Sequence, residues 1–161
     1  MDIMDYKGLF DLSGRVAVVI GAGSGIGQSA AKGLAAHGAF VICADSQPEA
    51  AGETVRQIGR SAEAMTVDIR QSDSVAELFG SILNEHQRLD VVVTTPGANV
   101  RKPISNYEDS EFDRVVELNL KGTFRVLREA AQVQAEAWPV PKQRAAGRES
   151  TRAFPGPSRR G

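Results

Sequence analysis

The chain has 161 residues, enough for about one domain with its own core and too few for two full ones. With 19 basic and 20 acidic side chains its formal net charge is −1, which argues against a protein held to a polyanion, so nucleic acid is not an expected partner. Its 42% apolar and 24% charged residues suit a soluble globular protein, and no apolar run reaches the roughly 18 residues a membrane helix needs, so no membrane partner is expected either. Met1 to Leu12 carries Asp2, Asp5 and Asp11 and no apolar stretch of the kind a secretory signal requires. A single Cys43 allows no internal disulfide, which fits a reducing cytoplasm.

Charge is divided along the chain. Residues 1–134 hold 13 basic and 18 acidic side chains, net −5, whereas residues 135–161 hold 6 and 2, net +4. The last 27 residues contain Pro139, Pro141, Pro155 and Pro157, five arginines, and neither Leu nor Ile. Such a stretch cannot bury enough apolar surface to offset its ordering entropy, and it reads as a basic Pro/Arg-rich tail anchored at most by Trp138 and Phe154. The expected organisation is an N-terminal extension over 1–12, a folded unit over 13–134 and a tail over 135–161.

Within the folded unit, Arg15 to Ile20 is a β-branched run closed by Gly21, as in a strand buried on both faces. Gly25 to His37 has Ile26, Ala30 and Leu34 on one helical stripe, with Gly38 suited to a left-handed C-terminal cap. Phe40 to Ala44 is a second strand, and Pro48 suits the first turn of a helix carrying Ala51, Val55 and Ile58. Ala62 to Val67 is a weaker third strand ending at Asp68. Ser74 and Glu77 have the spacing of a capping box before a helix with Val75, Leu78, Phe79, Ile82 and Leu83 inward. Leu89 to Val93 is the fourth strand. Asp109 or Ser110 opens a long helix, to about residue 131, with Phe112, Val115, Val116, Thr123, Leu127 and Ala130 inward. Four strand and helix alternations predict an α/β, doubly wound parallel sheet, whose ligand sits beyond the carboxyl ends of the strands.

Two features at those ends suggest which ligand. Gly21-Ala22-Gly23-Ser24-Gly25-Ile26-Gly27 lies between strand and helix, where glycines let backbone N–H groups approach a pyrophosphate at a helix N-terminus; its spacing is G-x-x-x-G-x-G rather than G-x-G-x-x-G. A purely structural turn is the alternative, and no Lys-Ser/Thr is present for a nucleoside-triphosphate loop. Asp45 follows Gly27 by 18 residues, where an acid accepts hydrogen bonds from the adenosine ribose hydroxyls. Its carboxylate repels a 2′-phosphate and no cation lies between Ala22 and Ile26, so NAD is favoured over NADP; the alternative role of Asp45 is to cap the next helix with Ser46.

With these residues, the region from 13 to about 130 resembles the N-terminal half of the short-chain dehydrogenase/reductase family of Rossmann-fold oxidoreductases. The family's T-G-x-x-x-G-I-G stands as Ile20-Gly21-Ala22-Gly23-Ser24-Gly25-Ile26-Gly27, and its D-V/I pair beside the adenine as Asp68-Ile69. Thr94-Thr95-Pro96-Gly97 replaces N-N-A-G, keeping only the glycine, and Asn119-Leu120-Lys121-Gly122 matches N-x-x-G. The resemblance implies NAD(P)-dependent hydride transfer with a small alcohol or ketone. It implies cofactor contacts at Gly21, Ser24, Gly25, Ile26, Gly27, Asp45, Asp68, Ile69, Thr95 and Gly97, and a catalytic role for Asn119. Read without it, Asp68 is a turn or capping acid, and Asn119 is an amide on the buried stripe that needs an internal partner.

The family's Tyr-x-x-x-Lys acid/base pair is missing. Tyr6 is followed four residues later by Phe10 and Tyr107 by Glu111, and nothing after Ala131 reads as a strand. The change near residue 130 to Arg-, Pro-, Ala- and Gly-rich sequence is what a shifted reading frame or a truncated gene product leaves; a shortened binding module or a partner-binding tail are the alternatives. The competing expectations are therefore a catalytically incomplete oxidoreductase and a noncatalytic dinucleotide-binding or interaction protein. Either leaves the 109–131 helix partly uncovered, so homo-oligomerisation through it, or aggregation, is expected. His37, His86 and Cys43 are too scattered in sequence for a metal site.

Overall fold

Four apolar runs become four parallel strands in the computed structural model, which describes residues 8–137; the remainder of the Pro- and Arg-rich segment, with Trp138 and Phe154, lies outside the described residues. The strands are β1 (Val16–Ile20), β2 (Phe40–Asp45), β3 (Ala62–Thr66) and β4 (Val91–Thr94), in the order β3-β2-β1-β4. Val18 pairs with Ile42 on one side and Val92 on the other, so β1 is central and buried at every position. The chain winds outward through β2 and β3, then crosses back to the far side of β1. Loops after β1 and β4 thus run in opposite directions and leave a crevice between them, the switch point at which doubly wound sheets take ligands.

Both faces are covered. Helices α1 (Gly25–Ala36) and α2 (Pro48–Ile58) pack Ala31, Leu34, Val55 and Ile58 onto Ala17, Val19, Val41 and Cys43. On the other face α3 (Ser72–His86) and α5 (Thr123–Ala137) bring Val75, Leu78, Phe79, Ile82, Val126 and Ala130 against Val18, Ile20 and Ile42. Each fully buried aliphatic side chain contributes roughly 1.5–3 kcal/mol, so these two layers hold the sheet. Gly38 turns out of α1 with φ +97°, as a left-handed cap requires. At the base of the sheet Asp90 accepts hydrogen bonds from Val16 N (2.9 Å), Arg88 Nε (2.8 Å) and Arg15 Nη1 (3.0 Å), fastening the start of β1 to the entry of β4.

Some local expectations are overturned. Ser74 and Glu77 form no capping box: α3 begins earlier, at Ser72, and Ser74 Oγ instead accepts a hydrogen bond from Asp68 N at 3.1 Å. A reciprocal box occurs instead between Glu108 and Glu111 at the start of α4 (Asp109–Val116). The single long helix is interrupted by a π turn over Glu117–Gly122, and α5 then continues to Ala137. The wider turn breaks the 3.6-residue stripe, so Leu127 is exposed and Val126 is buried in its stead; Phe112, ahead of the turn, is also exposed. Ile26, placed inward from its spacing, is 81% exposed at the mouth of the crevice, and α1 buries Gly27 and Ala31.

Candidate functional site

The crevice has a volume of about 580 Å³ and is lined by the ends of all four strands. Gly21, Ser24, Gly25, Ile26, Gly27, Asp45, Asp68, Ile69, Thr95 and Gly97 all border it. Separate stretches of sequence, from 21 to 97, therefore converge on one space.

The turn after β1 is built around glycines because its atoms approach too closely for side chains. A Cβ on Gly27 would lie 2.0 Å from Gly21 O, and one on Gly21, where φ is +85°, would lie 2.5 Å from Thr95 Oγ1. The turn is also held from outside. Gly21 N and Ala22 N donate to Ala44 O (2.8 and 3.1 Å), and Thr95 Oγ1 donates to Ile20 O at 3.0 Å. Thr54, fully buried on α2, donates to Ala22 O at 2.8 Å and accepts from Gln28 Nε2 at 3.0 Å. A fixed turn matters because N–H groups must be aimed before an anion arrives. Ser24 makes no side-chain cap and the first turn of α1 has no acidic residue, so the leading N–H groups of α1 and the positive end of its dipole are free for an anion.

Asp45 closes one wall. Its Oδ2 accepts from Gly23 N at 2.9 Å and its Oδ1 from Gln47 N at 3.0 Å. The carboxylate thus ties the glycine turn to the start of α2, where the N-cap is Gln47. Of the about four acceptor positions on a carboxylate, two remain for ribose hydroxyls. Gly23, absent from the glycine spacing set out from the sequence, is what permits this: a Cβ there would meet Asp45 Oδ2 at 2.8 Å and Ala50 Cβ at 2.6 Å.

Asp68 and Ile69 form the opposite side, after β3. Asp68 is gripped by Arg70, whose Nε and Nη2 lie 2.9 and 2.8 Å from its two oxygens, and these hydrogen bonds hold its carboxyl below the usual range. Arg70, which no motif in the sequence marks, lines the crevice wall, as does Arg114. Ile69 reaches the π turn, where a Cβ on Gly122 would sit 2.7 Å from Ile69 Cδ1. The glycine of Asn119-Leu120-Lys121-Gly122 thus admits the Asp68–Ile69 loop.

Asn119 does not lie on a buried stripe: it is exposed, in the π turn. Its side chain finds partners in the loop after β4, with Oδ1 accepting from Ala98 N at 2.8 Å and Nδ2 donating to Ala98 O at 2.9 Å. Asn119 therefore holds the crevice-lining segment Thr95–Ala98 by both backbone groups of one residue. Tyr107 donates its hydroxyl to Val100 O, further along the same loop. The donor and acceptor set suits a dinucleotide: a glycine cradle with free amides for the pyrophosphate, a carboxylate for a ribose, and apolar walls at Ile26, Ile69 and Leu118 for a ring.

Comparison with known proteins agrees with this geometry. The family model described as short chain dehydrogenase matches residues 15–137. A hydroxynaphthalene reductase-like protein Arp2 from Metarhizium anisopliae is 38% identical over 123 residues, covering 74% of this chain and 46% of that protein. A mitochondrial borneol dehydrogenase from Lavandula x intermedia is 35% identical over 124 residues, covering 76% and 47%. Among solved structures, a short-chain type dehydrogenase/reductase from Mycobacterium marinum superposes with a TM-score of 0.80 at 28% identity, covering 83% of this chain and 56% of that one. A hydroxysteroid dehydrogenase from Escherichia coli gives 0.74 at 27% identity, covering 80% and 55%. The chain spans about half the length of the curated relatives it matches.

Proposed function

Since the chain belongs to the short chain dehydrogenase family, we propose that its crevice binds NAD in preference to NADP, as the nucleotide-binding part of an oxidoreductase acting on a small alcohol or ketone. The observation that carries this reading is the convergence of the glycine turn, Asp45, Asp68-Ile69 and Thr95–Gly97 on one crevice at the β1/β4 switch point. Gly21 to Gly27 cradle the pyrophosphate, Asp45 accepts from the adenosine ribose, and Ile69 flanks the adenine. When bound, NAD supplies the hydride acceptor. The chain's own residues bind and orient: Thr54 and Thr95 fix the turn, and Asn119 fixes the loop at Ala98.

Turnover is a separate matter. Neither Tyr6 nor Tyr107 is followed at four residues by Lys, and Tyr107 is used to hold Val100 O. This chain by itself binds the dinucleotide without oxidising alcohols, which is also what a noncatalytic dinucleotide-binding or interaction protein would do. Leu120, Phe124 and Leu127, at 67%, 61% and 54% exposure and with i, i+4, i+7 spacing, support self-association through the 109–131 region. Calorimetry on the full chain tests the cofactor reading. NAD binds at least tenfold more tightly than NADP, a difference of about 1.4 kcal/mol, and Asp45→Ala narrows the gap. Equal affinities in the unaltered chain would refute the role of Asp45.

A further inference from the structure

Two carboxylates and an imidazole come together away from the crevice, near the start of edge strand β3. We propose that Glu63, Glu85 and His86 bind a divalent transition-metal ion of the Zn²⁺ class. In sequence His86 stands 23 residues from Glu63, and the fold closes that gap by laying the last turn of α3 beside edge strand β3. His86 Nε2 lies 2.7 Å from Glu63 Oε1, and one ligand atom from each of the three residues lies within 4.8 Å of the others.

Three features favour a metal over a bare ion pair. The imidazole is braced by the Phe40 ring, with centroids 4.9 Å apart, so its nitrogen is presented in one direction. The C-terminal turn of α3 puts the negative end of the helix dipole beside the cluster, and its only basic residue is His86 itself. A groove along β3 adjoins the site, lined by Glu63, Glu77 and Glu85 with Ser74 and Ser81; among the described lining residues there is no Lys or Arg. One imidazole nitrogen with two carboxylates suits Zn²⁺, Co²⁺ or Ni²⁺, whereas Ca²⁺ and Mg²⁺ take oxygen ligands in larger number. Bonds of about 2.0–2.2 Å spread three donors roughly 3–4 Å apart, so Glu63 and His86 part slightly and exposed Glu85 swings in.

The chain's 2 histidines make the test direct. Zn²⁺ is titrated into full-length chain carrying ¹⁵N-labelled imidazoles. The His86 ring nitrogens shift and saturate at one equivalent, His37 stays fixed, and Mg²⁺ in hundredfold excess has no effect. Glu63→Gln and Glu85→Gln each weaken Zn²⁺ binding at least tenfold; Glu85 is exposed, so its replacement leaves the fold in place. His86 unmoved by Zn²⁺, His37 and His86 shifting in parallel, or unchanged affinity in Glu85→Gln would each overturn the proposal.

Discussion

Gly27→Ala is the sharpest test of how the crevice is built, because at this helix position the usual preference for alanine is reversed by the close approach of the glycine turn and Thr95. Within an open helix, replacing glycine by alanine stabilises by up to about 1 kcal/mol. At Gly27 the new methyl would lie 2.0 Å from Gly21 O, 2.7 Å from Gly21 C and 2.7 Å from Thr95 Oγ1. Two of those atoms are backbone and the third is fixed by its bond to Ile20 O, so none can swing aside. Relief requires α1 to lift from β1 by about 1 Å, and overpacking of this kind costs about 3 kcal/mol, the upper end of its range. The net destabilisation is about 2 kcal/mol, or roughly 4–8 °C in melting temperature for a domain of this size. Gly33, exposed in the same helix with no atom within 4 Å of its Cβ position, is the control, and Gly33→Ala raises stability by about 0.5–1 kcal/mol. Urea unfolding followed by circular dichroism reads both. If Gly27→Ala unfolds at the same urea concentration as the unaltered chain, or both variants move the same way, the turn is not packed as described.

Three further outcomes follow from single residues. Arg88, then Val16 N–H and Arg15, hold the Asp90 carboxyl well below the ordinary range; because the native form has the lower pKa, its contribution is complete above about pH 5 and fades as pH falls below the unfolded value near 3.9. Asp90→Asn therefore costs about 2 kcal/mol at pH 7 and flattens the acid limb of a urea-midpoint against pH curve. Thr94 Oγ1 is buried with no hydrogen-bond partner among the described residues, so Thr94→Val leaves stability unchanged or raises it by up to about 1 kcal/mol in the same assay; a clear loss would mean that the hydroxyl is bonded. Asn119→Ala frees both backbone groups of Ala98, costing about 1 kcal/mol and speeding hydrogen exchange at the Ala98 amide while β1 amides keep their protection.

The strands and the glycine turn were legible because each is a local pattern: Val16 to Ile20 is apolar at every position and ends at a glycine. The crevice residues were legible for the same reason, since strand ends and their first loop residues are fixed by where each apolar run stops. What escaped depends on contacts distant in sequence. Thr54 has the spacing of any helical threonine, and only the approach of α2 to the glycine turn gives its hydroxyl Ala22 O to bond. Gly23 looks like surplus beside Gly21, Gly25 and Gly27 until the Asp45 carboxylate is seen against it. The π turn escaped because a helical stripe is read at 3.6 residues per turn, and one wide turn near Gly122 moves every later residue around the axis, turning Val126 in and Leu127 out. Glu63 and His86 share no pattern at all, being joined only by the pairing of β2 with β3 and the packing of α3 across it.

The central claim, that this chain forms a dinucleotide crevice at the β1/β4 switch point, is tested most directly by amide NMR. NAD is titrated into the full ¹⁵N-labelled chain. Saturable shifts are expected at Gly21, Gly23, Gly25, Ile26 and Gly27, with Asp45, Ile69 and Gly97 moving in the same titration and the amides of β3 at Glu63 and Ala64 unmoved. Shifts confined to other surfaces, or none at millimolar NAD in a chain whose spectrum shows it folded, would contradict it.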